Sequence, residues 1–190
     1  MPTSDSSGDD ATERHIVPAW HGRFYGDLEE GGIYKHPHGR TVTETDNVWF
    51  SHITMKDSPL HSNAAYAAET QFGERIVDGT FLIALVVGMS VVDISQNAIA
   101  NLGYESIQHH APVFHGDTIF AESEILKKRE SESNEGAGII KTELRAFNQN
   151  DEKVLTLSET LLIAKREHVD LDPTTPPGWP NAIGTMEADL

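Results

Sequence analysis

The longest apolar run in the chain, Phe81–Val92, constrains the fold more than any other feature. A helix that spans a bilayer needs about 20 apolar residues, so this run is too short to cross a membrane. Asp78-Gly79-Thr80 precedes the run and is typical of the start of a helix. We therefore predict a helix buried on most of its circumference, with the rest of the chain forming a sheet wrapped around it.

The length and composition limit the class of protein. A chain of 190 residues favours a single domain with an adequate hydrophobic core. The sequence contains no cysteine, which excludes disulfides and thiolate metal sites. Met1–Asp10 is polar and acidic and does not resemble a secretory signal, so we expect a cytoplasmic protein with no membrane partner.

The net charge is the most unusual feature of the composition. Thirty acidic residues stand against fourteen basic ones, which gives a formal net charge of −16. This balance argues against nucleic acid as a partner, because nucleic-acid binding requires a basic surface. The acidic excess is spread over the whole chain and resembles that of proteins from salt-loving organisms. At about 1 M salt the Debye length is about 3 Å, so such repulsion is largely screened. The alternative is simply an acidic protein from an ordinary environment.

The chain divides into three parts by composition. Residues 1–19 are predicted to be a flexible acidic tail, residues 20–167 the folded domain, and residues 168–190 a Pro-rich tail. Within the domain, residues 33–43 alternate like an edge strand. Thr43 and Asp46 predict a capping box for a helix whose apolar face includes Trp49 and Ile53. Other predicted elements before the apolar run are a loop over 57–62 and a short helix over 64–72.

The second half of the domain has the pattern of a sheet. Residues 94–103 are predicted to close the central helix, with Gly103 at its end. Four strands then follow as a meander, over residues 104–114, 118–131, 138–148 and 154–166. The fold class is therefore α+β, with an antiparallel sheet around one long helix. A single sheet of this kind leaves bare edges, so we expect a homodimer or a dimer-based hexamer.

The loop before the apolar run holds the candidate chemistry. Histidine is the residue type suited to accept or give a proton near neutral pH, which points to His61, and Asp57 lies close to it in sequence. Asp78-Gly79-Thr80 supplies backbone N–H groups and the positive end of the helix dipole, which suit a developing oxyanion. Gly79 allows a substrate to approach the backbone closely. These groups suit addition of water to an activated double bond, or its removal.

Other interpretations of these residues remain open. A histidine in a Pro-containing loop can be purely structural. None of the remaining histidines has His-x-x-x-His spacing, so we expect no metal. His109-His110 resembles a strand and turn. The basic cluster Lys127-Lys128-Arg129 is either a solvated strand end, which we favour, or a site for phosphates.

Several motifs together resemble the MaoC-like dehydratases, which are hot-dog-fold hydratases of acyl-CoA thioesters. The resemblance covers residues 20–167 and is closest to the branch that includes mesaconyl-CoA hydratase and β-methylmalyl-CoA dehydratase. It is carried by the following segments: Gly22-Arg23-Phe24 with Asp27, Arg40–Asp46, Pro59-Leu60-His61, Phe72-Gly73, the Gly79-led apolar helix, Asp93–Gly103 and Pro112–Thr118.

The resemblance implies a mechanism and assigns roles. An Asp and a His on the loop hold a water molecule, and the helix N-terminus holds the thioester oxygen. The family loop reads Asp-x-Asn-Pro-x-His, whereas residues 56–61 read Lys-Asp-Ser-Pro-Leu-His. His61 therefore matches, Lys56 stands at the place of the acid, and Asp57 serves if the loop is shifted by one residue. The expected site has catalytic Asp57 and His61, and substrate-binding Asp78, Gly79 and Thr80.

The predicted function is hydration or dehydration of a short, branched or dicarboxylic enoyl-CoA such as mesaconyl-CoA. CoA would enter as part of the thioester substrate, and no separate cofactor is expected. One alternative is a hot-dog acyl-CoA thioesterase, which would direct water at the carbonyl. The other is a non-catalytic subunit that binds acyl-CoA.

Overall fold

The computed structural model describes residues 15–177, so residues 1–14 and 178–190 of the two predicted tails lie outside it. Residues Gly22–Val169 form one compact unit. The described ends of the chain, residues 15–21 and 170–177, belong to a second unit. In that unit the Ala19 N–H donates to the Pro173 carbonyl oxygen over 2.8 Å.

The larger unit is built on an antiparallel sheet of six strands in the order β1-β4-β5-β6-β3, with β2 paired to β4. The strands are β1 (Ile33–Lys35), β2 (Arg40–Thr41), β3 (Ala98–His109), β4 (Thr118–Glu130), β5 (Ala137–Phe147) and β6 (Lys153–Ala164). Four α-helices accompany them in the described residues: α1 (Glu44–Thr54), α2 (Pro59–Ser62), α3 (Ala64–Ala68) and α4 (Gly79–Ser90).

The apolar run forms the central helix, as predicted. Leu82 and Val86 of α4 are buried against the sheet, where they pack with Leu144 and Leu157. The α+β hot-dog arrangement of a sheet around one helix is therefore confirmed. No helix in the described part of the chain is long and apolar enough to cross a membrane.

The end of the central helix differs from the prediction. Helix α4 ends at Ser90, a π-helical turn covers Val91–Ser95, and β3 begins at Ala98 instead of after Gly103. Asp93 holds this turn, because its Oδ1 accepts a hydrogen bond from Arg23 Nη1 over 2.8 Å. Gly103, with a φ angle of 157°, lies inside β3 at a register shift and does not stop a helix.

The predicted four-stranded meander is correct for β4, β5 and β6 and wrong for β3. Strand β3 pairs with β6, at the opposite side of the sheet from β4. The chain between β3 and β4 crosses the end of the sheet, where Phe114 forms an isolated bridge with Ile76. This crossing delivers β4 to the far side, next to β1.

Three shorter predictions also need correction. The edge strand predicted over 33–43 is split into β1 and β2, with Pro37 between them, which has no N–H for a ladder. The loop predicted over 57–62 contains α2, because Pro59 occupies the first helical position, where proline is tolerated. The helix predicted over 64–72 ends at Ala68, and the strand predicted over 104–114 ends at His109.

Helix α1 has the predicted capping box but not the predicted buried face. Thr43 Oγ1 accepts from the Asp46 N–H, and Asp46 Oδ2 accepts from the Thr43 N–H over 2.8 Å. Trp49 and Ile53, expected in the core, are 65% and 72% exposed. The buried side chains of α1 are polar, Asn47 and Ser51. Because the polar side of α1 faces the interior, Asn47 reaches the candidate site.

Glu159 is a carboxyl group inside the core. It lies in β6 and is 1% exposed, with Asn101 Nδ2 donating to its Oε2 over 2.8 Å. Its Oε1 is buried and has no hydrogen-bond partner among the described residues. Burial raises the pKa of Glu159 to about 7, against the opposing effect of the Asn101 hydrogen bond.

We expect Glu159→Gln to remove a pH dependence of stability. The folded-state pKa of about 7 exceeds the reference value of 4.5, so folded protein retains a proton that unfolded protein loses. The free energy of unfolding should therefore fall as the pH rises from about 4.5 to 7, by on the order of 3 kcal/mol. Urea unfolding of both proteins at pH 5, 6, 7 and 8 measures this. Parallel stability curves for wild type and variant would contradict the prediction.

Candidate active site

His61 is held at the end of the short helix α2. Its side chain is buried, and its Nδ1 lies 2.9 Å from the carbonyl oxygen of Ile76. A carbonyl oxygen only accepts hydrogen bonds, so Nδ1 carries a proton. In the neutral ring, Nε2 is then left as a base. This Nε2 is directed to Asp78 and lies 3.6 Å from its Oδ2.

Asp78 caps the start of α4 and lies beside His61. Its Oδ1 accepts hydrogen bonds from Thr80 N (2.7 Å), Thr80 Oγ1 (2.6 Å) and Lys56 Nζ (2.8 Å). Its Oδ2 is buried and has no hydrogen-bond partner among residues 15–177. Burial opposes ionisation of this carboxyl, but hydrogen bonds from Lys56 and Thr80 outweigh it and lower the pKa of Asp78. The site thus contains an ionised carboxylate with one buried oxygen that lacks a hydrogen-bond partner in the described chain.

Asn47 of α1 ties the parts of the site together. Its side chain is fully buried, and its Oδ1 accepts from the Asp78 N–H over 2.8 Å. Its Nδ2 donates towards the carbonyl oxygens of His61 and Ile76, each at 3.2 Å, and towards His115 Nε2 at 3.0 Å. Because these contacts join α1, α2 and the start of α4, Asn47 sets the spacing between His61 and Asp78.

We expect Asn47→Ala to destabilise the protein by about 3 kcal/mol, because it leaves several buried polar groups without partners. The matched control is Ser51→Ala in the same helix, whose hydroxyl bonds only to the Asn47 carbonyl oxygen in the described chain. That control should cost less than about 1 kcal/mol. Urea unfolding of the two variants measures the difference, and equal losses would show that Asn47 has no special role.

A cavity of about 370 Å³ opens beside these residues, and His61, Phe72, Gly79, Leu82, His109 and His110 are among the residues that line it. His109 lies against the first turn of α4. A Cβ atom at position 79 would be 2.9 Å from His109 Nε2, so any larger residue there would require the His109 ring to move. Burial, and then the charge of Lys56, lower the pKa of His109. The Asp78 side chain caps Thr80 and Phe81 but not Gly79, which also lines the cavity.

The structure brings together His61, Asp78, Gly79 and Thr80 of the predicted site. It does not bring Asp57 to them. Asp57 is exposed, and its contact in the described chain is a 3.4 Å hydrogen bond from Ser62 Oγ. The residue closest to His61 Nε2 with a carboxylate is Asp78, which the sequence placed among the substrate-binding residues.

The sequence analysis did not assign three residues to the site that the structure places there: Asn47, Lys56 and His109. The available signal was the pair of opposite charges at positions 56 and 78, one in the loop and one at the helix start. Asn47 and His109 carried no signal, because their roles depend on packing between distant segments. Within residues 15–177, no group of three or more His, Asp or Glu side chains is arranged to hold a metal ion.

A family model described as MaoC like domain matches residues 28–146, which is more than half of the chain. This chain belongs to the MaoC-like family. A mesaconyl-CoA hydratase from Cereibacter sphaeroides is 32% identical over 167 residues, which are 88% of the MaoC-like chain and 48% of that relative. The chain spans about half the length of the curated relatives it matches first.

Solved structures agree on the fold of the MaoC-like chain. A putative MaoC domain protein dehydratase from Chloroflexus aurantiacus is 29% identical with a TM-score of 0.75, and the match covers 88% of this chain and 45% of that one. A Mycobacterium tuberculosis protein described as having a double hot-dog fold is 20% identical with a TM-score of 0.65. That match covers 86% of this chain and 47% of the other, and it bears on the fold alone.

Proposed function

We propose that this MaoC-like chain is a hydratase/dehydratase that adds water to the double bond of an enoyl-CoA thioester, or removes it. The observation that supports this function is the approach of His61 Nε2 to the free Oδ2 of Asp78, at the start of α4 and beside a cavity. Both atoms accept hydrogen bonds, so a water molecule that enters between them as the two side chains move apart can donate to both. The family and its named hydratase relatives point to the same chemistry.

In the proposed reaction, His61 Nε2 accepts a proton from the water as its oxygen forms a bond to the β-carbon. The electron pair of the double bond moves towards the thioester oxygen. The Gly79 N–H and the positive end of the α4 dipole stabilise the resulting enolate. The His61 imidazolium then gives the proton to the α-carbon, which completes the addition and restores the neutral ring.

Asp78 has a different role from His61 in this proposal. Because its pKa is lowered, Asp78 stays ionised at neutral pH and is a poor proton donor. It orients the water and stabilises the imidazolium through the 3.6 Å approach to Nε2. The same residue thus replaces the loop acid that the family pattern leads one to expect at position 56.

The proposed substrate is a short enoyl-CoA with a branched or dicarboxylic acyl group, such as mesaconyl-CoA. The named relative from Cereibacter sphaeroides supports this choice. The test incubates the purified full chain with crotonyl-CoA and with mesaconyl-CoA, and follows enoyl absorbance and free thiol. Loss of absorbance without thiol supports hydration. Release of thiol indicates a thioesterase, and no change with either substrate indicates a binding protein; either result contradicts the proposal.

We also propose that a second copy of the chain covers the outer edge of β3. Strand β3 pairs only with β6 in the described chain, and it exposes several large apolar side chains: Ile99, Leu102, Tyr104 and Ile107. An exposed apolar edge strand is prone to pair with another chain. The greater length of the relatives, and the double hot-dog description of one solved neighbour, support a second hot-dog unit in this position.

Light scattering on the purified full chain tests this assembly. The wild-type protein should have the mass of a dimer or of a hexamer built from dimers. Leu102→Glu should shift it towards the monomer, because a carboxylate at this position would be buried between two copies. The control is Ile33→Glu on β1, an exposed apolar residue at the opposite edge of the sheet. A monomeric wild-type protein would contradict the proposal.

A further inference from the structure

Lys56 places a positive charge beside the groups proposed to hold water. Its ammonium is 2.8 Å from Asp78 Oδ1 and 3.3 Å from Thr80 Oγ1. An ammonium group has three N–H donors, so one remains after these two contacts. The Lys56 side chain is 43% exposed, whereas that of Asp78 is fully buried. The Lys56 side chain therefore contacts the buried carboxylate and remains partly open to solvent.

Lys56 lies beside the positive end of the α4 dipole, although the protein as a whole is acidic. The first turn of α4, where Asp78 caps Thr80 and Phe81 but not Gly79, lies next to Lys56, and His109 lies against the same turn. Asp78 is the one carboxylate that contacts these groups in the described chain, and Lys56 already pairs with it. Although the protein has a net charge of −16, the region around Lys56 and the start of α4 is suited to an anionic ligand.

We propose that Lys56 selects substrates that carry a carboxylate on the carbon to which water is added. This inference rests on the proposed hydratase function, because it uses the position of the water between His61 and Asp78. In a fumaryl-type thioester the second carboxylate is bonded to the β-carbon, which is also the carbon that receives the water oxygen. That carboxylate must therefore lie close to both water-holding residues.

An ionised Asp78 alone would repel such a substrate. Lys56 offsets this repulsion because it is bonded to Asp78 Oδ1, and its third N–H can bond to the substrate carboxylate. A substrate with a methyl group in the same position would place an apolar group against the ammonium and reduce its hydration. Lys56 thus favours the carboxylated substrate and disfavours the alkyl one, and both effects contribute to selectivity.

The catalytic test compares wild type with Lys56→Gln, which keeps a hydrogen-bond donor for Asp78 but removes the charge. The quantity measured is kcat/KM for mesaconyl-CoA divided by kcat/KM for crotonyl-CoA. We expect this ratio to fall by roughly 10- to 100-fold, the range for loss of a hydrogen bond to a charged group. Lys56→Arg should retain most of the selectivity. Lys153→Gln, an exposed lysine at the start of β6, controls for the change in net charge.

A binding test separates failure of this inference from failure of the proposed function. Succinyl-CoA and butyryl-CoA are saturated thioesters with no double bond to hydrate. Succinyl-CoA has a carboxylate on the β-carbon, where butyryl-CoA has a methyl group. Calorimetry should show tighter binding of succinyl-CoA to wild type, and Lys56→Gln should remove the preference even if no enoyl-CoA is turned over. A role for Lys56 only as the partner of Asp78 would weaken both ligands equally in this variant. Equal weakening, or an unchanged preference, overturns the inference.

Discussion

Replacing His61 with Gln should reduce turnover of the enoyl-CoA substrate by about 10²- to 10⁴-fold, the usual contribution of a general acid–base residue. The glutamine amide can still donate to the Ile76 carbonyl oxygen that now accepts from Nδ1, so the local backbone keeps its partner. It cannot accept and return a proton. The measurement is kcat from the decrease in enoyl absorbance, with the fold checked by circular dichroism and thermal unfolding.

The control for this prediction is His52→Gln. His52 is exposed in the last turn of α1, outside the cavity, and its loss should leave kcat within about twofold of wild type. A folded His61→Gln protein with unchanged kcat would remove the chemical basis of the proposed mechanism. A loss of activity together with a loss of fold would call for the milder His61→Asn variant, in which the same result is expected.

Asp78→Asn should reduce turnover by about 10²- to 10³-fold, a loss typical of removing one preorganised electrostatic contact in an active site. Asparagine is as good an N-cap as aspartate, so α4 should keep its start. The charge that stabilises the His61 imidazolium and orients the water is lost. Comparison of kcat for wild type and variant measures this effect, with thermal unfolding as the check on stability.

Asp57→Asn is the matched variant, because the sequence alone assigned the acid to Asp57. In the structure Asp57 is exposed and hydrogen-bonded to Ser62, so its amide variant should keep kcat within about twofold of wild type. The two variants remove the same charge from positions on either side of His61. If Asp57→Asn were the inactive one, the loop would have to shift during catalysis and Asp78 would be only a helix cap.

Local signals in the sequence predicted several elements correctly. The capping box of Thr43 and Asp46 involves residues three positions apart, so neighbouring side chains determine it. The apolar run of α4 must be buried in any stable fold, and here it packs against the sheet, so its central position was predictable. Strand β5 and most of β4 alternate between buried and less buried residues, β6 has leucines at alternate positions, and short turns join the three strands. Their antiparallel pairing follows from that pattern.

The errors occur where packing overrides local pattern. Trp49 and Ile53 have helical spacing, but periodicity does not say which side of a helix meets the core, and here the polar side with Asn47 does. The helix end was misplaced because Asp93 pairs with Arg23, a partner 70 residues away in sequence. The pairing of β3 with β6 depends on a crossing connection, which no residue pattern in β3 records.

The site shows the same division. A histidine followed by a helix start pointed to proton transfer beside a helix N-terminus, and a resemblance in motifs pointed to the MaoC-like family. Position in sequence favoured Asp57 as the partner of His61, because the two residues share a loop. In the structure, Lys56 and Asp78 are paired across 22 residues, and Asn47 holds Asp78 and His61 at their separation.

By itself, the sequence determined the central helix, its cap, most of the strands and the kind of chemistry that His61 can perform. These features depend on the properties of single residues and on neighbours within a few positions. Only the tertiary structure decided which carboxylate faces His61, which side of α1 is buried and where β3 pairs. Those outcomes depend on contacts between segments far apart in the chain, and their geometry exists only once the sheet has closed around the helix.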